Sequence, residues 1–182
     1  MGHLLDYRFL SLDPGSVTTG MAISVATKEK MIVQDAYTLH LDRLAALEPV
    51  RLDLDRTQRL AVLTKAVERY ATAWQPSAVF CESPFLQGKV NTFATLTEAL
   101  VYIQHGVWAY NPRITIGKMD PATVKKSVGV SGKSKDKEDM RRALYKVKDL
   151  ETLIPYDTLD EHSIDAIAVG YYFYRNRLKG EL

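Results

Sequence analysis

The first forty residues carry three short apolar blocks. Residues 7–12 alternate and then become continuously apolar, and they end at the turn Asp13-Pro14-Gly15. Residues 21–26 and 31–39 form two more blocks, joined by a polar turn at 28–30. Three such blocks between short turns predict an antiparallel meander. Residues 41–56 mix acids, arginines and a proline and predict a loop. The period then changes. Leu60, Leu63, Val67, Tyr70, Ala71 and Trp74 recur at steps of three and four, which predicts a helix over 57–74. The run Ala78-Val79-Phe80-Cys81 predicts a buried central strand ending at Glu82. Residues 91–110 predict a second helix and 113–116 another strand. Asp120-Pro121 reads as an N-cap with proline in the first turn, opening a short helix to Ser127. A Gly/Ser/Lys loop at 129–135, a basic helix at 136–148 and a last helix at 160–178 complete the chain. A meander followed by alternating helices and strands predicts an α/β fold, a mixed sheet flanked by helices.

Composition narrows the class. The chain's 182 residues with 46% hydrophobic content suit one domain spanning 1–182. No run approaches the ~18–20 apolar residues that cross a bilayer, and the first residues, with Asp6 among them, do not read as a secretory signal. Cys81 is the single cysteine, which excludes an internal disulfide or a cysteine-pair metal site and suits a reducing, cytoplasmic setting. The net charge of +2, from 24 basic and 22 acidic residues, carries little information. Its distribution carries more. Lys125, Lys126, Lys133, Lys135, Lys137, Arg141, Arg142, Lys146 and Lys148 share one stretch, either a solvated face or a strip that neutralises phosphates.

Three acids stand out by position. Asp13 closes the first predicted strand, Glu82 closes the buried one, and Asp165 follows His162 by three on one face of the last helix. Each has a plain structural reading: a turn former before Pro-Gly, a paired strand-end carboxylate, a residue near a helix start. Together, acids at neighbouring strand ends with a helix across them would form an oxygen-rich cluster of the kind Mg²⁺ takes.

Five segments carry a resemblance. Phe9-Leu10-Ser11-Leu12-Asp13-Pro14-Gly15, continuing to Thr19-Gly20, resembles the first motif of RuvC-type Holliday junction resolvases. Val79-Phe80-Cys81-Glu82-Ser83-Pro84-Phe85 resembles their second. Val124-Lys125-Lys126-Ser127-Val128-Gly129 is similar to their lysine-bearing segment, and residues 133–140 to the loop and helix start that follow. His162-Ser163-Ile164-Asp165-Ala166-Ile167-Ala168 resembles the final motif, with His162 where many relatives carry Asp.

The resemblance implies an RNase H-like fold with Asp13, Glu82, His162 and Asp165 as catalytic and metal-binding residues. It implies Lys125 and Lys137, with Lys135 nearly as good a match, beside the scissile phosphate. Phe85 would stack on opened bases, and Lys126, Lys133 and Arg141 would join the DNA-binding set. The cofactor would be two Mg²⁺ ions per site, with Mn²⁺ as a substitute. The activity would be paired nicking of four-way junctions, a branched-DNA substrate with two-fold symmetry that suits a homodimer. Helix 91–110, with Phe93, Leu96, Leu100, Ile103, Val107 and Trp108, is the candidate interface, and Ile103-Gln104-His105-Gly106-Val107 loosely matches the family's helix-pairing segment. Other RNase H-like nucleases, acting on flaps, branched replication DNA or RNA, would use the same acids. A non-catalytic DNA-binding module would have no chemical reason to keep all three. An actin-like or sugar-kinase relative would need a second lobe.

Overall fold

The computed structural model describes residues 7–45, 56–85, 90–132, 136 and 138–180. Six strands form one mixed sheet in the order β5-β4-β1-β2-β3-β6. The meander is β1 (Tyr7–Asp13), β2 (Thr18–Ala26) and β3 (Met31–His40), paired antiparallel. Strand β4 (Ala78–Glu82) lies parallel to β1, and β5 (Gly117–Met119) parallel to β4. On the far edge β6 (Leu150–Thr152) runs parallel to β3.

Helices cover both faces. One face carries α2 (Arg56–Trp74) and α3 (Val90–Tyr110), packed over Leu10, Leu12, Met21, Ile23, Val79 and Cys81. The other carries α6 (Glu161–Phe173), with α4 (Pro121–Ser127) and α5 (Glu138–Tyr145) beside it. Strand parity explains both cores. Leu10, Leu12, Val79 and Cys81 point to α2 and α3, while Phe9, Ala78 and Phe80 point to α6. Strands buried on both sides favour apolar runs: β4 has one over residues 78–81, and β1 has one over residues 9–12 interrupted only by buried Ser11.

Helix α6 lies very close to the sheet. A Cβ on Gly20 would stand 1.9 Å from the His162 carbonyl oxygen, and one on Gly170 would stand 2.8 Å from Ser11 Oγ. Strand β2 alternates accordingly, with Gly20 and Ala22 beneath α6 and Met21 and Ile23 on the opposite face. The opposite layer has its own close approach. A Cβ on Gly106 of α3 would lie 2.5 Å from the Thr64 carbonyl of α2, and Thr64 Oγ1 donates to the Tyr102 carbonyl at 2.9 Å.

Several expected elements differ. Residues 41–45 are a short helix, α1 (Leu41–Ala45), seated by fully buried Leu41, and Arg56 already belongs to α2. Residues 46–55 lie outside the described residues. The strand expected at 113–116 falls at β5 instead. Ile114 and Ile116 are buried, but their backbone pairs with a side chain: the Gln104 amide donates to the Ile114 carbonyl and accepts from the Ile116 N–H. The basic helix is shorter than 136–148, because the chain turns after Tyr145 to reach β6, a strand too short for any sequence period to reveal. α6 itself ends at Phe173 and continues as one π-helical turn, Tyr174–Leu178.

The contact beneath α6 predicts that Gly20→Ala destabilises the protein. An overpacked methyl costs about 1–3 kcal/mol, or roughly 3–10 °C in melting temperature at this size. Gly180→Ala, which meets nothing within 4 Å, is the control and should melt like wild type. Equal melting of all three would mean that Gly20 does not set the helix-to-sheet distance.

Candidate active site

The register of β1 and β4 sets the site. Leu12 pairs with Cys81, so Asp13 and Glu82 follow side by side at the ends of two parallel central strands. Both continue the parity of Phe9 and Phe80, which turns them to the α6 face. There the first turn of α6 brings His162 and Asp165. Asp160 caps that turn, accepting from the Ser163 N–H at 3.0 Å and the Ser163 hydroxyl at 2.9 Å, and also from the Thr38 hydroxyl. The Asp13–Thr18 turn is closed by Thr19, whose hydroxyl donates to the Gly15 carbonyl at 2.9 Å.

Of the four expected residues, His162 and Asp13 are in contact, and Glu82 and Asp165 both lie within electrostatic reach of Asp13. His162 Nδ1 lies 2.9 Å from Asp13 Oδ2. Burial pushes the Glu82 carboxyl up to about 8, and the charges of Asp13 and Asp165 add to the rise. Burial likewise lifts Asp165 to about 7, with Asp13 contributing. Lys125, at the end of α4, opposes both shifts. His162 is raised from its ordinary value, first by the hydrogen bond to Asp13 and against the effect of burial. The side chains as they stand do not close on one point. Among the described residues, no three or more His, Cys, Asp or Glu side chains are arranged to hold a metal ion.

A cleft of about 360 Å³ opens beside the acids, lined by Asp13, Glu82, Pro14, Phe85, Leu96 and Pro121 among others. Phe85 is 55% exposed on its wall. Lys125 thus lies beside the acids and Phe85 beside the cleft, while Lys126 is exposed on the outer side of α4. There Lys126 shares a second cleft with Thr123, Ser127, Tyr172, Arg175 and Asn176. Arg141 braces the segment before α6, donating to the carbonyls of Tyr156 and Leu159, each at 2.6 Å. Lys133, Lys135 and Lys137 lie outside the described residues.

Two neighbouring side chains were not legible in the sequence. Thr18 holds the far nitrogen of His162, with Oγ1 3.0 Å from Nε2, and nothing in Val17-Thr18-Thr19 marks one threonine over the other. Arg175 reaches the outer cleft only because α6 runs beside α4, a contact between residues about fifty positions apart.

The mixed sheet, its helices on both faces and its strand-end acids define an RNase H-like α/β fold. No protein-family model matches the sequence, and neither does any curated protein. Solved structures do match. RuvC of Thermus thermophilus aligns with a TM-score of 0.68 at 15% identity, over 92% of this chain and 95% of that one. The same protein in complex with Holliday junction substrate gives 0.67 at 14%, over 94% and 96%. The yeast mitochondrial Holliday junction resolvase Ydc2 gives 0.65 at 12%, over 96% and 81%. The chain is RuvC-like in fold over nearly its whole described length. No helix among the described residues is long and apolar enough to cross a membrane.

The buried acids make stability depend on pH. Glu82 titrates higher folded than at its ordinary value of 4.5, so its contribution to stability is fully present below about 4.5 and is lost as pH rises through about 8. Glu82→Gln cannot incur that loss. In chelator-treated buffer the variant should melt a few degrees above wild type at pH 8.5, with the advantage shrinking toward pH 5. A variant that melts below wild type at pH 8.5 would mean Glu82 is charged at little cost.

Proposed function

We propose that this chain is a metal-dependent endonuclease that nicks four-way DNA junctions in pairs as a homodimer. The observation that carries the reading is one constellation: Asp13, Glu82 and Asp165 share a partly buried site with His162, and Lys125 stands beside it. Full-length likeness in fold to two junction resolvases supports the choice of substrate.

The donor set fits a hard divalent cation. Three carboxylates supply oxygen ligands of the kind Mg²⁺ prefers, and Mn²⁺ would accept the same set. Two of the acids are raised, first by burial and then by the charge of neighbouring carboxylates, and Lys125 offsets them only in part. Asp13, Glu82, Asp165 and His162 would hold the metal, two ions by the resemblance. Bound there, it would lower the pKa of an attacking water and stabilise the leaving oxygen.

The chain's own groups do the rest. Lys125 offsets charge that accumulates on the phosphate oxygens. Phe85, exposed on the cleft wall, offers an aromatic face to bases unstacked at the crossover. Lys126 and Arg175 line a cleft on the outer side of α4 and would neutralise a neighbouring phosphate.

Cleavage of a labelled four-way junction with Mg²⁺ tests the activity, alongside duplex, flap and RNA–DNA hybrid. Wild type should make paired nicks confined to the junction. Asp13→Asn should lose at least ~100-fold in rate, in the range seen for loss of one transition-state contact, while binding the junction as wild type does. Preferential cutting of flaps or hybrid would move the function to another RNase H-like nuclease, and undiminished cutting by the variant would remove Asp13 from the site.

Three of the residues expected at a dimer surface on α3 are turned inward, while Trp108 is exposed. Leu100, Ile103 and Val107 are buried in the chain's own core, and Gly106 packs α3 against Thr64 and Val67 of α2. The outward stripe of α3 is Val90, Val101 and Trp108, respectively 69, 48 and 46% exposed. Their spacing of 11 and 7 residues puts them on one line of the helix. Sedimentation at micromolar concentration should show a dimer for wild type and a monomer for a Val101→Glu/Trp108→Glu variant. Monomeric wild type would sink the dimer.

A further inference from the structure

Helix α4 presents cations on two sides. Val124 is fully buried, and at ~100° per residue Lys125 falls on one flank of it while Thr123 and Ser127 fall on the other. Lys126 follows on the outer face and is exposed. Lys125 stands near Glu82 and Asp165. The opposite flank opens on a separate cleft of about 480 Å³, lined by Thr123, Lys126 and Ser127 of α4 and by Tyr172, Arg175 and Asn176. No acid is among its described lining residues.

Backbone builds both walls of this cleft. α6 ends at Phe173, and the π-helical turn after it buries Tyr174 and Leu178 while leaving Arg175 and Asn176 exposed. Arg175 lies over the Tyr171 ring, 5.8 Å from its centroid, which narrows the directions its guanidinium can take. Asn176 Nδ2 donates to the Tyr172 carbonyl at 2.8 Å, and an amide keeps a second hydrogen to donate. Across the cleft, Ser127 Oγ donates to the Val124 carbonyl at 2.7 Å. Thr123 Oγ1 donates to Asp120 Oδ2 at 2.9 Å, and that carboxylate is occupied as the cap of α4. Lys126 and Arg175 form no ion pair among the described residues, so their charge is available to an outside anion.

From this arrangement we infer that the cleft is a second phosphate subsite, which takes a backbone phosphate further along the strand whose scissile phosphate lies beside Lys125. The spacing follows from α4 itself. A helix with its side chains is ~10 Å across and a strand rises ~3.4 Å per nucleotide, so the two phosphates are about three nucleotides apart. A single contact beside the acids leaves a strand free to pivot. A second one, made by a lysine and by a planar arginine that can bind two oxygens at once, fixes its line across the site. The inference rests on the junction-cutting reading above and adds to it a place and a direction for the strand.

The test is junction binding by the full-length protein in chelator-treated buffer, measured across a salt series. Lys126→Gln/Arg175→Gln should bind roughly tenfold more weakly than wild type, the size of one lost charge-assisted contact. Its plot of log affinity against log salt should be shallower by about one. Both residues are exposed, so melting should stay as in wild type. Lys28→Gln/Arg177→Gln removes the same charge from exposed positions outside the cleft and should lose far less. Junctions with one uncharged methylphosphonate, moved a nucleotide at a time, then locate the contact. Wild type should lose affinity at a position about three nucleotides from the nick, and the cleft variant should be insensitive there. Unchanged affinity in the cleft variant would overturn the subsite and leave the junction reading standing. So would an equal loss in the control, or a methylphosphonate profile that is the same in wild type and cleft variant. A folded wild type with no affinity for junctions would instead remove the junction reading itself, and the subsite with it.

Discussion

The site depends on how closely α6 can approach the sheet. A helix carrying His162 and Asp165 must bring its first turn within hydrogen-bond distance of acids at the ends of two strands. Ordinary helix-on-sheet packing, with full side chains between the layers, would hold it too far away. Here the strand beneath that turn offers glycine at position 20, where any Cβ would collide with the His162 carbonyl. The middle of α6 repeats the device in reverse, with Gly170 over Ser11. Apolar area is given up at those points, and the opposite face recovers it. Met21 and Ile23 alternate with the small residues and bury fully against α2 and α3.

That closeness produces the electrostatic character of the site. Acids brought together in a partly buried place repel one another and lose hydration, and both effects favour their protonated forms. Glu82 and Asp165 show the result. A site selected only for stability would have replaced one of them or added a second cation. Instead Lys125 stands near both and offsets them incompletely, while Asp13 leans on His162. An arrangement that the fold tolerates at a cost, and that added positive charge would relieve, is typical of functional sites.

Legibility in the sequence followed the physics of each feature. Strand parity and helical period are local, so the meander, α2, β4 and α3 could be read from the spacing of apolar residues, and so could the positions of Asp13 and Glu82 at strand ends. β5 and β6 have three residues each and exist through their neighbours. Ile114 and Ile116 gave an apolar signal three residues early, because the Gln104 side chain supplies the pairing that a strand partner would have given. Helix α3 was ambiguous for a related reason. Its apolar residues Phe93, Leu96, Leu100, Ile103, Val107 and Trp108 suggested an interface, yet Leu100, Ile103 and Val107 join the core with α2, and of that set Trp108 stands well exposed. Thr18 and Arg175 matter only through contacts across about 144 and 50 positions, which no local pattern encodes.

Identity of 12–15% to proteins of the same fold is reasonable in these terms. The arrangement asks for few particular residues: an acid after each of two apolar strands, small residues where α6 crosses β2 and β1, and a capped helix start with polar groups three apart. Everything else needs only to be apolar or polar at the right period, and many sequences satisfy that. The same economy explains why likeness in fold does not extend to chemistry unaided. A strand register carries an acid to the site whatever that acid then does. What distinguishes one such protein from another is the handful of groups around the acids: which residue stands at 162, what holds its outer nitrogen, and which cations line the outer side of α4. The common frame is general, and the particular activity resides in those few side chains.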